Sequence, residues 1–452
     1  MKKLFVIIAL IFLSVNSYSQ YNGFPRPGQG EIAGGLGLNW IDGDLYYSFR
    51  FRPEISFMNF GVGLDLRLDF DSEGNLRKEN FNEFADYLSI IRYVRYGLKN
   101  DPVFAKLGAI DWYTIGHGTI MYRYNNNIGF DNRSNGVVLD IDFGKFGFES
   151  IYSRLSEASV FGIRGYVKPL QFTDAAPIPI ISNLELGVTY AADYNENAGV
   201  TAGTYDHQQN RFIPTEDKGA INIIGFDIGL PVISTSMFNL ELYYDFNKII
   251  NFGSGSAAGI MMNFGGLGLV TASAKLERRF NGDNYIPSYF NTLYELNRFS
   301  VDTSANIVRS KVQQLAAAVD NSNGFYGELG VNVLGLFDII GSYQRLDKDP
   351  DSGILHLSTE INPEDGSFVA RAGYDKVNIK DEKDLFTLDD RSYLFTEVGY
   401  KPIPYILVSL VYSWTFTPVR DPDKNIISYE PQKRIEPRIS FIYPFDFGSG
   451  NQ

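Results

Sequence analysis

Residues 60–70 alternate. Phe60, Val62, Leu64, Leu66, Leu68 and Phe70 are apolar, and Gly61, Gly63, Asp65, Arg67 and Asp69 between them are small or charged. Successive side chains of a strand point to opposite faces, so the segment predicts a strand with one oily and one wet face. Ordinary globular strands run about five or six residues. This one has the ~9–11 residues that a tilted strand needs to cross a hydrocarbon layer.

The pattern recurs along the chain. Clear copies lie at 45–57, 238–247, 405–416 and 434–445. In the first, Leu45, Tyr47, Phe49, Phe51, Ile55 and Phe57 oppose Tyr46, Ser48, Arg50, Arg52, Glu54 and Ser56. Shorter or noisier copies lie at 31–41, 87–98, 103–113, 136–143, 146–154, 160–168, 183–192, 219–230, 255–264, 267–277, 325–334, 337–345, 353–361, 367–377 and 391–400. That predicts about 20 strands, within a range of 16–20. Their connections alternate. Tight ones such as Gly144-Lys145, Gly335-Leu336 and 362–366 are interleaved with long polar ones at 71–86, 114–135, 193–218, 278–324, 378–390 and 417–433. The run 169–182 is a long connection on the short side, and Pro169, Pro177 and Pro179 give it a rigid, extended path.

Short turns on one side and long loops on the other predict an all-β, up-and-down antiparallel transmembrane barrel, with short periplasmic turns and longer extracellular loops. Closure is required, because an open sheet in lipid leaves edge amides unpaired. A propeller would repeat about every 40–50 residues, and no such repeat is present.

Composition narrows the picture. The chain has 452 residues, 53 acidic against 40 basic side chains, 44 glycines and 15% aromatics. It has no cysteine, which excludes disulfides, thiolate zinc, iron–sulfur clusters and a lipoprotein anchor. The acidic balance of −13 argues against nucleic acid as a partner. Lys2 and Lys3 precede the apolar run Leu4 to Leu13 and the end Ser17-Tyr18-Ser19, so residues 1–19 read as a signal peptide cleaved before Gln20. Its loss leaves 38 basic residues against 53 acidic, a net −15. An extended segment at 20–30 then leads into the barrel at 31–447.

These features together resemble a Gram-negative outer-membrane β-barrel of the porin-like, Bacteroidetes type. The resemblance is carried by the export signal, the strand ladder, aromatics near strand ends (Trp40, Phe57, Tyr190, Tyr400, Tyr405, Tyr443, Phe445) and a terminal aromatic strand. It implies residence in the cell outer membrane, among lipid and lipopolysaccharide. The chain departs from the pattern where Gly448 to Gln452 follow Phe447 and where Pro437 and Pro444 fall inside the last strand.

The wet faces bring both charge signs inward. Arg50, Arg52, Arg67, Arg164, Arg371, Arg434 and Arg438 stand beside Asp65, Asp69, Asp140, Asp142, Glu185, Asp227, Glu241, Asp245, Glu328 and Glu397. As lumen-lining residues they would tune passage of small polar solutes by diffusion, without cofactor or metal. The bland reading is a network of cross-strand pairs that stabilises the wall. A closed scaffold for surface or periplasmic partners is the rival function, and a lipid-acting barrel enzyme a distant third.

Three further features stand out. In the 278–324 connection, Thr303 or Ser304 precedes Val308, Val312, Leu315 and Val319, one helical stripe, which predicts a helix over about 304–320 and an inward plug or a cover over the mouth. Gly116-His117-Gly118 places a histidine in a permissive bend. Neither His207 nor His356 lies at metal spacing from it, no Gly-x-Ser-x-Gly elbow is present, and a structural role is expected. The Asp-rich turns at 347–351 and 381–384 lack the EF-hand ligand order and read as solvated.

Overall fold

The computed structural model describes residues 28–447, apart from 82–83, 130–132, 177, 179, 267–268, 320–321, 362–366 and 423–424. The signal segment 1–19, most of 20–30 and the 362–366 turn therefore lie outside the described residues. The wall is a closed, twenty-stranded antiparallel barrel. Its first strand, Gln29–Ile41, pairs with the second, Asp44–Phe57, and also with the last, Ile426–Asp446. That second pairing removes both sheet edges. Closure is what a lipid-embedded backbone requires, because an open edge would leave its amides unpaired.

The two faces follow the alternation. Tyr47, Phe57, Leu242, Tyr244, Leu410 and Ile439 are exposed on the outside. Ser48, Asp69, Tyr243, Asp245 and Arg434 are buried on the inside. Inward glycines make room for large neighbours. A Cβ on Gly63 would overlap the Tyr93 ring, and one on Gly259 the Tyr243 ring directly opposite. Both glycines have ordinary strand backbone, so space explains them, not a left-handed φ.

The wall differs from the alternation reading at several points. The strand expected at 60–70 is two segments, Phe60–Leu64 and Leu66–Phe70, which keep one register with the second strand, and between them the Asp65 N–H donates to the Ile90 carbonyl at 2.8 Å. The 103–113 strand ends at Gly108, and the residues after it leave the wall. The final strand starts at Ile426, eight residues before the expected 434. Pro437 is absorbed by a gap in the ladder, where pairing with the first strand steps from Gly37↔Arg438 to Trp40↔Ile435, whereas Pro444 keeps its place opposite Glu31. Phe416, on the outer face by alternation, is fully buried in a cluster with Ile128, Leu293 and Val377.

Long connections carry structure that period-two reading does not detect. The 193–218 stretch holds a hairpin, Val200–Asp206 with Arg211–Asp217. The helix expected over 304–320 is only Lys311–Ala317, preceded by a hairpin of Phe299–Asp302 with Ile307–Ser310. The cap is Ser310, not Thr303 or Ser304. Ser310 accepts from Gln313 N and Gln313 returns a bond to the Ser310 N–H, a capping box that fixes the start. Val312 and Leu315 of the stripe are fully buried, whereas Val319, beyond the last turn, is exposed.

Candidate functional site

Two connections at the end away from the termini run inside the wall. The segment 109–135 doubles back on itself through a Tyr113↔Tyr124 bridge. It then meets the segment after Asn281. Ser288 N donates to Thr119 O at 2.8 Å, Tyr122 N to Phe290 O at 3.0 Å, and Phe290 N to Ile120 O at 3.1 Å. Met121, Tyr124, Phe290 and Tyr294 form the dry centre of this pair, none more than marginally exposed. Gly116 and Gly118 take left-handed φ of 53° and 86°, so the bend that carries His117 needs glycine on both sides.

The inward-facing acidic residues of the wall hold the first segment. Asp245 accepts from Thr119 Oγ1 at 2.6 Å and meets His117 Nδ1 at 2.7 Å. Glu241 lies 3.5 Å from His117 Nε2, and the His117 ring stacks on Tyr243 with centroids 4.1 Å apart. Lys275 Nζ donates to the His117 carbonyl. Asp140 accepts from Tyr113 at 2.5 Å and pairs with Lys99. Glu328 binds Tyr122 and Arg123. Arg164 joins Glu185 and Asp227, at 2.7 and 2.6 Å. Burial works against charge on His117, but the Asp245 carboxylate overrides it and pushes the ring up to about 10.

A second knot lies below the helix Lys311–Ala317. Asp193 accepts from Tyr294 at 2.8 Å and pairs with Arg298 at 2.6 Å. Glu295 pairs with Arg298 and Arg154, at 2.7 and 2.8 Å. Lys311 sits over the faces of Tyr289 and Tyr294, 5.4 and 5.6 Å from their centroids, and burial pulls its ammonium down to about 7. The period-two pattern gives no hint of this knot, because most of its members are in loops that alternation does not reach.

The arginines gather on the opposite arc. An outer chamber of about 650 Å³ near the termini is bordered by Glu31, Arg50, Arg52, Glu54, Arg92, Arg371, Glu397 and Arg438. An inner chamber of about 280 Å³ shares Arg50, Arg52, Arg92, Arg371, Glu397 and Arg438 with it, and adds Arg67, Arg133, Arg434, Asp65, Asp111 and Glu436. Glu397 binds both Arg371, at 2.7 Å, and Arg438. Asp65 binds Arg67 at 2.6 Å and Arg133 at 3.3 Å. Burial and the neighbouring Arg67 hold the Arg133 guanidinium down to about 9.

The candidate set therefore divides in two. Arg50, Arg52, Arg67, Arg371, Arg438, Asp65 and Glu397 border the chambers. Asp140, Arg164, Glu185, Asp227, Glu241, Asp245 and Glu328 border neither, and most of them bind the inward segment instead. Asp69 is buried against Ser48 and Asn39. Asp142 is exposed and accepts from Gly144 N in a tight turn at the terminal end. Arg92 and Arg133 were missed. Arg92 lies in a strand whose alternation is readable, but Arg133 comes from the inward loop and has no pattern to reveal it.

His117, Asp227 and Asp245 bring ligand atoms within 4.8 Å of one another, a grouping that residue spacing cannot reveal. Its donors are engaged: Arg164 holds Asp227, and Thr119 and His117 share Asp245. It is an ion-pair network whose carboxylates already have partners. His356 meets Asp375 at 2.7 Å, and His207 packs edge-on against Tyr205.

A closed wall of long strands, apolar outside and charged within, is an integral β-barrel of the kind that Gram-negative bacteria carry in the outer membrane. No family model matches the chain, and no curated protein does. Among solved structures, it is similar to Pseudomonas aeruginosa OccK5 (OpdH) at 11% identity, over 92% of this chain and 98% of that one, with a TM-score of 0.34. Acinetobacter baumannii OccAB3 follows at 12% identity, 92% and 98% coverage and 0.30. Pseudomonas aeruginosa OccD3 (OpdP) follows at 9% identity, 92% coverage of each chain and 0.30.

Proposed function

We propose that this barrel is a porin-like channel through which small polar solutes diffuse along an off-centre path. The supporting observation is the pair of chambers that share six charged side chains on one arc of the wall, while the inward segments occupy the other arc. A charged, water-wetted passage suits polar solutes and repels greasy ones. The inward segments act as the constriction, since they carry their own apolar core and are bolted to the wall by charge-assisted bonds. Small polar solutes are the partners on the inside and outer-membrane lipid and lipopolysaccharide those on the outside.

Purified full-length protein in a planar bilayer should give discrete conductance steps, and proteoliposomes should swell in sugars and amino acids below a size limit. The dry packing of Met121, Tyr124, Phe290 and Tyr294 favours a second reading, a closed scaffold. Proteoliposomes that neither conduct nor swell would select it.

A further inference from the structure

The inner chamber is positive inside a protein whose formal charge is −13. Eight arginines border it, against the four carboxylates Asp65, Asp111, Glu397 and Glu436. Carboxylates also reach these arginines from beyond it: Glu54 pairs with Arg92, Asp69 lies 3.7 Å from Arg434, Glu31 acts on Arg52 and Arg371, and Asp86 acts on Arg133. Charge in a poorly solvated site is unfavourable unless an opposite charge meets it.

The least satisfied of the eight is Arg52. Among the described residues it makes no hydrogen bond and no ion pair, and its Nε is buried without an acceptor. The Nε groups of Arg50, Arg371 and Arg438 are also without acceptors, although their other nitrogens pair with Glu436 and Glu397. All four arginines border both chambers, so their side chains surround the place where the chambers join. Guanidinium groups bind oxyanions through paired, planar N–H bonds, which a chloride ion cannot match. A chamber of about 280 Å³ admits only a small guest.

We infer that the junction is a binding site for a small oxyanion, inorganic phosphate or a short dicarboxylate, seated on Arg52 and shared with Arg50, Arg371 and Arg438. The inference names the solute for the channel reading and rests on it for access. Binding is separately measurable.

The test is calorimetric titration of the purified full-length barrel at low, constant ionic strength with phosphate, succinate, chloride and glucose. Saturable heat with phosphate or succinate, and none with chloride or glucose, is expected. The tighter of the two dianions identifies the guest. Arg52→Gln should weaken binding at least tenfold, and Arg52→Lys less. Arg278→Gln, which removes an outer pairing with Asp347, should leave it unchanged. If Arg52→Gln does not fold, Arg371→Gln serves, since its side chain is 37% exposed and its loss tolerable. Absence of saturable dianion binding, or binding that both chamber variants leave unchanged, overturns the inference. A barrel that conducts without binding dianions refutes this site alone, and one that binds them without conducting refutes the channel alone.

Discussion

Asp227 and Asp245 stand directly opposite each other on neighbouring strands, facing inward. Like charges in that position repel across a sheet. Each has its own counter-charge: Arg164 for Asp227 at 2.6 Å, and His117 for Asp245 at 2.7 Å. One cation comes from the wall and the other from the inward segment. The wall's own electrostatics are therefore completed only when 109–135 sits inside.

His117 should make docking of that segment pH-dependent. Its folded pKa is raised, to about 10 from 6.5. A raised pKa contributes stability that is full below the unfolded value and lost as pH rises through the folded one. Docking should thus be firm at pH 6, weaken between about 7 and 10 and lose this contribution above that. Thermal melting of the detergent-solubilised barrel across this range should show the decline, and His117→Gln should flatten it. Removing one partner of a buried pair costs roughly 3–5 kcal/mol, so the variant should also melt lower at pH 6. A wild-type melting temperature constant from pH 6 to 10 would count against the pairing.

The same ring depends on a glycine in the wall that it does not itself touch. Tyr243 stacks on His117, donates to Glu277 at 2.7 Å and lies across Gly259. A side chain at 259 must displace Tyr243. Gly259→Val should cost about 1–3 kcal/mol through overpacking and shift the His117 titration, read by NMR of labelled histidine. Gly327→Ala is the control, since a Cβ there would meet only Leu276, at 4.0 Å.

The wall was legible in the sequence because its rule is local. A strand between lipid and water writes its two faces into every second residue, as Phe60 to Phe70 and Leu240 to Phe246 do. Strand ends were less readable where a loop took over, as at Gly108, or where Pro437 sat inside the ladder. The interior was only partly legible. Alternation places Asp245 and Glu328 inward but does not reveal that His117 and Arg123 fold back to meet them, 128 and 205 residues away. Those contacts depend on tertiary closure. The helix was misplaced because Asp302 and Asn306 shape a hairpin turn, through Asp302 bonds to Ser304 and Ala305, ahead of the Ser310 cap.

The two faces of one strand give a paired test of membrane burial. Leu242 is 42% exposed on the outside of the strand Phe238–Ile249, and Glu241 beside it faces in. Leu242→Arg should lower folding stability into vesicles by about 2–4 kcal/mol if the site is near the midplane. Glu241→Gln should leave insertion intact and loosen only the His117 Nε2 contact. Equal effects of the two on urea-unfolding midpoints in lipid would contradict the assignment of faces.

The constriction can be tested by excision, because the chain provides its own splice point. Asn284 N donates to Ala318 O at 2.9 Å, so the residues on either side of 285–317 already touch. Joining 284 to 318 through one or two glycines removes Phe290, Tyr294, Glu295 and the capped helix without moving the strands Val270–Asn281 and Gly324–Val333. The first inward segment then loses its Phe290 and Ser288 partners but keeps its bonds to Asp245, Glu328 and Asp140. It should loosen without leaving. Single-channel conductance in molar potassium chloride should rise several-fold. Anion preference should fall, since ions could then pass along the acidic arc as well as beside Arg52 and Arg371. Unchanged conductance would mean that this segment is not the narrowest point, and unchanged selectivity would mean that the arginine arc alone governs passage.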